Sequence, residues 1–266
     1  MQGDLIYDVG MHIGQDTEFF LKKGFRVVAV EANPRLAEQA RRRYRRSIAK
    51  GRLVVLNCGI ASDRGTLPFY VNRDHSEWSS FDEHLGKERG AYDILPIETV
   101  PLRDVLVEHG VPYYLKIDIE GHDQIALKDL ASVRERPVYV SVESGTVPML
   151  QFLVELGYTS FKFINQAEVP KMTCPQPASE GVFVRHRFPF GASGPFGEET
   201  VGTWKNRAEM ERIIEDYWET PGLDAAVHGW FDLHSRRDAP PRDPPAERKN
   251  PWVRLLRLLG RGRARD

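Results

Sequence analysis

The chain is short of several features that would define its class. Its 266 residues include two cysteines, Cys58 and Cys174, which are too few for a disulfide framework and lack the close Cys or His companions of a zinc site. No apolar run approaches the ~20 residues that span a bilayer, and no secretory leader precedes the first apolar run. The formal net charge is only -1. We therefore expect a cytoplasmic globular protein without a transmembrane segment or a nucleic-acid partner.

The glycine triplet that brings a pyrophosphate onto a helix, Gly-x-Gly-x-x-Gly, is also missing from the first turn. The first predicted strand ends near Asp8, and the glycines that follow are Gly10 and Gly14. The second predicted strand ends at Glu31. An acid at the first strand's tip would repel a diphosphate and attract a cationic amine, so this unit predicts a nucleoside ligand at the carboxyl edge of a parallel sheet.

Strand and helix patterns alternate along most of the chain. This alternation predicts an α/β fold with a doubly wound, mostly parallel sheet and one antiparallel end strand. The polar stretch 72–92 has weak periodicity, and we interpret it as a flexible loop over the cleft. The predicted strands are Leu5–Val9, Phe25–Val30, Leu53–Asn57, Thr66–Val71, Ile97–Val100, a run that begins at Tyr113, Val138–Glu143, Thr159–Asn165 and Gly181–Arg187.

Four predicted strand ends carry an acid, namely Asp8, Glu31, Asp118 and Glu143. In a parallel sheet these ends share one edge. Unpaired carboxylates crowded there would cost several kcal/mol, so they imply a cation, a metal or ligand hydroxyls. S-adenosylmethionine offers an amino cation, a sulfonium and a ribose diol, without a phosphate. Glu31 is placed to hold the ribose hydroxyls, and the two loop glycines would let the backbone approach the methionine portion.

The turn after the third strand leaves two interpretations open. Asn57, Ser62 and Asp63 follow a strand that faces the ligand edge, where loop residues often bind ligands. They would then meet an adenine. The same residue types also form ordinary turns.

Two segments resemble the FkbM-type methyltransferase family. They are Asp8-Val9-Gly10-Met11-His12-Ile13-Gly14-Gln15-Asp16-Thr17 and Tyr114-Leu115-Lys116-Ile117-Asp118-Ile119-Glu120-Gly121-His122-Asp123, within a resemblance that covers roughly 4–187. The second is the more specific, and Trp230 to His234 is similar to a Trp-Tyr-Asp-x-His segment of some members. The chain departs from the family in lacking the usual extension before the first strand and in its Pro-rich basic tail.

The resemblance implies a class I, Rossmann-like fold with a seven-stranded sheet and S-adenosylmethionine as cofactor, with O-methylation as a common activity. It implies cofactor binding by Asp8, Gly10, Gly14, Glu31 and Asp118, and our predicted cofactor site also includes His12, Asp16, Thr17, Asn33, Ser62 and Asp63.

Catalysis of methyl transfer needs positioning and a base for the acceptor proton. His122 is the leading candidate, followed by Glu120, Glu143 and His234. His122 is alternatively a solvent-facing residue at a helix start. We predict no metal, although Asp118 with Glu120 and Glu143 has the hard oxygen donors that suit magnesium and would hold a sugar diol.

Three functions follow as hypotheses. The first is an S-adenosylmethionine-dependent O-methyltransferase acting on a hydroxyl of a sugar, a glycan or a related natural product. The second is an NAD(P)-dependent oxidoreductase, and the third is a non-catalytic binding module that acts through its tail.

Composition predicts three parts. Residues 1–190 form the cofactor-binding methyltransferase domain, and 191–235 form an extension near the acceptor site. Residues 236–266 carry ten Lys or Arg against four Asp or Glu and are Pro-rich, so they predict a flexible tail with at most weak contact to a membrane or partner.

Overall fold

A seven-stranded sheet forms the centre of the molecule in the computed structural model, which describes residues 2–88, 90–219 and 231–238. Its strand order is β3-β2-β1-β7-β8-β10-β9. A separate three-stranded sheet has the order β4-β6-β5. The strands are β1 (Gln2–Val9), β2 (Arg26–Val30), β3 (Leu53–Leu56), β4 (Gly59–Ile60), β5 (Gly65–Asn72), β6 (Tyr92–Val100), β7 (Pro112–Ile117), β8 (Tyr139–Glu143), β9 (Ser160–Asn165) and β10 (Phe231–Arg236).

The helices pack on both faces of the large sheet, as the alternating pattern predicts. One face packs against apolar residues of α5, α6, α7 and α8, and the other packs against α1 and α2. None of the helices in the described ranges is long and apolar enough to cross a membrane. The helices are α1 (Gln15–Lys22), α2 (Pro34–Arg43), α3 (Arg45–Ala49), α4 (Glu83–Glu88), α5 (Leu102–His109), α6 (Asp123–Ser132), α7 (Val147–Glu155) and α8 (Arg207–Glu219).

The antiparallel strand of the large sheet is β10, and it lies inside the sheet rather than at its end. It pairs antiparallel with β8 on one side and with β9 on the other. The prediction of an antiparallel end strand is therefore wrong in position. The predicted strand Gly181–Arg187 is also wrong, because this stretch is irregular and its Val182 and Phe183 side chains are exposed. Strand β10 begins beyond the boundary predicted at 190 and crosses the one predicted at 235.

The small sheet contains two strands that the alternating pattern assigns to the main sheet. Strands β5 and β6 pair with each other over eight residue pairs, from Gly65↔Thr99 to Asn72↔Tyr92. Strand β4 joins β6 in parallel. In the sequence, the strands of the small sheet lie between β3 and α5. The connection between β5 and β6 contains the stretch 72–92, for which the sequence predicts a flexible loop.

That stretch has an ordered structure in its described part. Residues 72–88, here called the edge segment, contain a 3-10 turn at Ser76–Trp78 and helix α4. Ser80 exchanges backbone hydrogen bonds with Tyr70 of β5 in both directions, at 2.8 and 3.1 Å. The prediction of a wholly flexible loop is therefore wrong for the edge segment.

An irregular strap, residues 172–205, covers the sheet face beside α1. Its Phe188 and Phe196 rings are buried against Phe19 and pack edge-on to it. Near one end of the strap the Glu199 carboxylate accepts two 2.8 Å hydrogen bonds from Lys23, and both side chains are fully buried. The strap therefore supplies cover over this face from the later part of the chain.

Candidate active site

The four predicted acids lie at one edge of the large sheet. Strands β2, β1, β7 and β8 are neighbours and all run parallel, so their carboxyl ends coincide. Asp8 pairs in register with Lys116, and Glu143 pairs with Asp232 of β10. The sheet therefore confirms that the four acids lie at one edge, and Asp232 of the antiparallel strand is a fifth acid there.

Lys116 is the buried cation of this cluster. Its ammonium Nζ lies 3.4 Å from Asp8 Oδ1, 3.6 Å from Asp16 Oδ2 and 3.4 Å from Asp118 Oδ2. It also lies 3.2 Å from the Gly10 carbonyl oxygen. Burial opposes the charge, but the three aspartates hold the pKa of Lys116 well above its ordinary value. Part of the positive charge that we expected from a ligand is therefore supplied by the chain itself.

Three of the predicted cofactor residues lie beneath the surface. Asp8 and Thr17 are both 0% exposed, and Thr17 Oγ1 donates to Asp8 Oδ2 at 2.6 Å. The Asp16 carboxylate accepts from the Ser193 amide of the strap at 3.0 Å, and burial raises the pKa of Asp16 to about 7. These contacts place the three residues behind the site, where they hold the β1–α1 loop and Lys116.

Asp118 and Glu143 form a carboxyl pair closer to solvent. The Asp118 side chain is 27% exposed. Burial works against its ionisation, but Lys116 and a hydrogen bond with Glu143 hold the pKa of Asp118 below its ordinary value. Burial and the neighbouring Asp118 charge raise the pKa of Glu143 well above its ordinary value. The proton of the pair therefore resides on Glu143, which argues against Glu143 as a base near neutral pH.

Glu31 holds its carboxylate in a fixed orientation at the tip of β2. Oε2 accepts from the His12 amide and Oε1 accepts from the Asn33 amide, each at 2.7 Å. Burial raises the pKa of Glu31 to about 7. A buried carboxylate with two backbone donors still has lone pairs for further donors, so the geometry suits a ligand diol.

The loop glycines are required by the protein's own backbone. Gly10 has a φ of 87°, and a Cβ built there would lie 1.7 Å from the Asp118 carbonyl oxygen. Gly14 has a φ of 83°, and its Cβ would lie 2.9 Å from Met11 Cε. Close packing, against the β7–α6 loop at Gly10 and against Met11 and Tyr44 at Gly14, thus explains these positions, rather than only room for methionine.

A strained residue stands in each of the two loops that frame the site. His12 has a φ of 50° and Glu120 has a φ of 39°, and they are the non-glycine residues with positive φ in the described ranges. Left-handed non-glycine residues persist only where surrounding contacts hold them. Each loop has such a contact from the edge segment, through Ser76 to the His12 ring and through Ser80 to the Glu120 carbonyl.

His122 stands at the start of α6 with a defined tautomer. Its Nδ1 lies 3.1 Å from the Ile60 carbonyl oxygen. A carbonyl only accepts, so Nδ1 carries the proton and Nε2 keeps its lone pair. The ring stacks on Phe81 at 5.3 Å between centroids. A half-buried imidazole held in this way has the chemistry of a general base.

The remaining predicted site residues have other surroundings. His234 is 2% exposed and burial, with the nearby Lys162 charge, lowers the pKa of His234 to about 3, which argues against it as a base. Asn33 Oδ1 caps α2 by accepting from the Arg35 amide at 3.0 Å. Ser62 and Asp63 lie in an exposed turn between β4 and β5. An adenine contact for them stays a prediction.

The magnesium alternative finds no support in the part of the chain that the structure describes, where no three His, Cys, Asp or Glu side chains converge as metal ligands. Trp230, part of the segment similar to Trp-Tyr-Asp-x-His, lies outside the described residues.

Sequence reasoning missed four residues of the cluster. Lys116, Asp232, Asp123 and Ser193 were not assigned a role, although all are buried. The Asp232 carboxyl accepts from Gln166 at 2.8 Å, and burial raises the pKa of Asp232 to about 8. A lysine in the middle of an apolar strand, two residues before an acid, is a signal that would have revealed Lys116.

The strand order with one antiparallel inner strand is that of the class I methyltransferase fold. The methyltransferase FkbM domain matches residues 8–165, which is more than half of the chain. The chain therefore belongs to the FkbM methyltransferase family. This membership confirms the resemblance drawn from Asp8–Thr17 and Tyr114–Asp123.

Similar proteins include the hexuronic acid methyltransferase AglP of Haloferax volcanii. It is 30% identical over 149 residues, which cover 53% of this chain and 56% of AglP. The match thus spans little more than half of that relative's length. Among solved structures, methyltransferase FkbM from Methylobacillus flagellatus is 19% identical with a TM-score of 0.37, over 53% of this chain and 32% of that one. The Bacillus cereus O-methyltransferase in complex with SAH is 12% identical with a TM-score of 0.33, over 88% and 74%.

Proposed function

We propose that the protein is an S-adenosylmethionine-dependent O-methyltransferase that acts on a hydroxyl of a sugar or glycan. The observation that carries the proposal is the fixed Glu31 carboxylate beside a buried cluster of acids at one sheet edge, in a chain of the FkbM family. The similarity to a hexuronic acid methyltransferase supports a sugar acceptor.

The residues of the edge fit this cofactor by their chemistry. Glu31 is oriented to accept from a ribose diol, because its two oxygens are held by the His12 and Asn33 amides. Even with protons on Glu143 and Asp232, the three aspartates around the Lys116 ammonium, namely Asp8, Asp16 and Asp118, outnumber it, so the cluster has capacity for one further cation such as an α-amino group. The cofactor supplies a methyl group activated by its sulfonium.

The chain must orient the acceptor hydroxyl and take its proton. His122 is the residue that accepts this proton in our proposal, because its Nδ1 donates to the Ile60 carbonyl and its Nε2 is left as an acceptor. The Phe81 ring and the Ile60 carbonyl hold the imidazole in place. Positioning contributes much of the rate of an in-line displacement, and base catalysis contributes about 10² to 10⁴-fold.

The test is the product of the purified full-length protein with S-adenosylmethionine and a panel of methyl pyranosides, free hexuronic acids and a non-sugar alcohol. We expect mass spectrometry to show replacement of one hydrogen by one methyl on a sugar hydroxyl, with formation of S-adenosylhomocysteine. Methylation of none of the sugars, with the non-sugar alcohol methylated instead, would contradict the acceptor class.

A further inference from the structure

The edge segment is fastened to both loops of the site. Ser76 Oγ lies 2.8 Å from His12 Nε2 in the β1–α1 loop. Ser80 Oγ donates to the Glu120 carbonyl at 2.6 Å in the β7–α6 loop. At Gly121, an added Cβ would lie 2.8 Å from Leu85 Cδ1 of α4. The position of the segment relative to the site is therefore fixed by contacts on two sides.

The segment presents a pair of stacked rings beside the first of these contacts. The His75 and Trp78 rings have centroids 4.1 Å apart and planes 27° from parallel. The turn beneath them is held because Asn72 Oδ1 accepts from the amides of Asp74 and His75, at 3.0 and 2.7 Å. His75 is exposed and Trp78 is half-buried.

The ring pair is linked to the proposed ribose carboxylate of Glu31 through two residues, Ser76 and His12. His12 contacts Ser76 with its imidazole and donates its amide to Glu31 Oε2 at 2.7 Å. Ser76 lies between the two ring residues in sequence. The pair therefore stands next to the loop that orients the proposed ribose carboxylate, at the margin of the candidate site.

The pair has the mixed chemistry that a sugar ring needs. A pyranose packs its C–H face on an aromatic ring by dispersion and apolar burial, while its hydroxyls require polar partners. The Glu77 carboxylate lies 3.2 Å from His75 Nδ1 at the rim of the pair. We propose that His75 and Trp78 form the subsite that holds the pyranose ring of the acceptor, an inference that rests on the proposed function.

The experiment measures binding without turnover. The full-length protein is saturated with S-adenosylhomocysteine and titrated with methyl β-D-glucopyranosiduronate and with methyl β-D-glucopyranoside, by calorimetry. We expect Trp78→Ala to weaken binding of the preferred glycoside about tenfold or more. Trp78→Phe should retain most of the wild-type affinity, because phenylalanine still supplies a flat aromatic ring. The affinity for S-adenosylhomocysteine should stay the same in all variants.

The matched control is Trp204→Ala. Trp204 lies against Tyr139, with 6.0 Å between the ring centroids. Tyr139 is the first residue of β8, so this contact is at the opposite edge of the sheet from the candidate site. Its removal should leave glycoside binding unchanged. The subsite is contradicted if Trp78→Ala binds the glycoside like the wild type, if the wild type binds neither glycoside, or if the variant loses S-adenosylhomocysteine by the same factor. Failure of the wild type to bind S-adenosylhomocysteine would instead contradict the proposed function.

Discussion

The Lys116 ammonium is shared among three aspartates within 3.6 Å, so the carboxyl edge is partly neutralised before any ligand arrives. Removing one partner of a buried ion pair leaves an uncompensated charge, which is far more costly than the pair is stabilising. The same lysine helps to hold the pKa of Asp118 below its ordinary value, whereas burial and the Asp118 charge raise the pKa of the neighbouring Glu143. The two carboxyl groups of this pair are therefore shifted in opposite directions.

His122 is the residue whose replacement tests the catalytic assignment. We expect His122→Ala to lower kcat about a hundredfold or more, because the acceptor proton loses its base, with little change in cofactor affinity. Steady-state kinetics and calorimetry with S-adenosylmethionine measure the two quantities. His109→Ala, a histidine at the end of α5, serves as the control and should retain turnover. Wild-type turnover in His122→Ala would remove this residue from the mechanism.

The β1–α1 loop packs closely against the β7–α6 loop at Gly10, next to the Asp118 backbone. We expect Gly10→Ala to lower the free energy of unfolding by about 1 to 3 kcal/mol more than Gly51→Ala. Both glycines have positive φ, but a Cβ at Gly10 meets the Asp118 backbone, whereas one at Gly51 meets nothing within 4 Å. Urea unfolding measures the difference. Equal losses in the two variants would mean that the loops are not in close contact.

The elements from β1 to β3 could be predicted from local sequence because apolar runs are bounded there by glycine or by acids. Strand β10 could not, since its partners β8 and β9 are far away in sequence. Polar residues at alternate positions of a strand normally indicate the side that faces solvent. In β10 the alternate polar residues Asp232 and His234 are buried, so this pattern predicts the wrong environment. Conversely, Val182 and Phe183 have strand-like composition, but they pair with no strand in the described ranges and their side chains are exposed.

The candidate site could be predicted as a set of acids but not as a balanced cluster. Asp8, Glu31, Asp118 and Glu143 were predicted because they end apolar runs. The neutralisation by Lys116, and the contact of Ser193 with Asp16 across 177 residues, depend on tertiary packing. The same is true of the edge segment, whose order comes from contacts with His12 and Glu120 rather than from its own periodicity.

The whole molecule carries several buried acids with raised pKa values, which makes its stability pH-dependent. The pKa of Asp232 rises from 3.8 to about 8 on burial, so the folded protein keeps a proton that the unfolded chain releases between these values. The free energy of unfolding should therefore fall as pH rises through this window, by up to about 1.4 kcal/mol per pH unit for one group. Asp16 and Glu31 act in the same direction up to about pH 7.

Asp232→Asn removes one of these groups while keeping its shape. Between pH 5 and 7.5 we expect the free energy of unfolding to decline less steeply with pH than in the wild type. The difference in slope is the contribution of one carboxyl group, up to about 1.4 kcal/mol per pH unit. Urea unfolding at a series of pH values measures it. Glu38→Gln, at an exposed ion pair on α2, should leave the slope unchanged. An unaltered slope in Asp232→Asn would show that Asp232 does not hold its proton in the folded state.

We expect the carboxyl edge of the sheet to bind S-adenosylmethionine, with the Glu31 carboxylate on its ribose. Calorimetry of the full-length protein measures the affinity for S-adenosylmethionine and, separately, for NADH. We predict binding at one site for S-adenosylmethionine and none for NADH. Glu31→Ala should weaken that binding by about 1 to 3 kcal/mol through lost hydrogen bonds to the ribose, while Glu38→Ala should not. Binding of NADH without S-adenosylmethionine, or unchanged affinity in Glu31→Ala, would contradict the account.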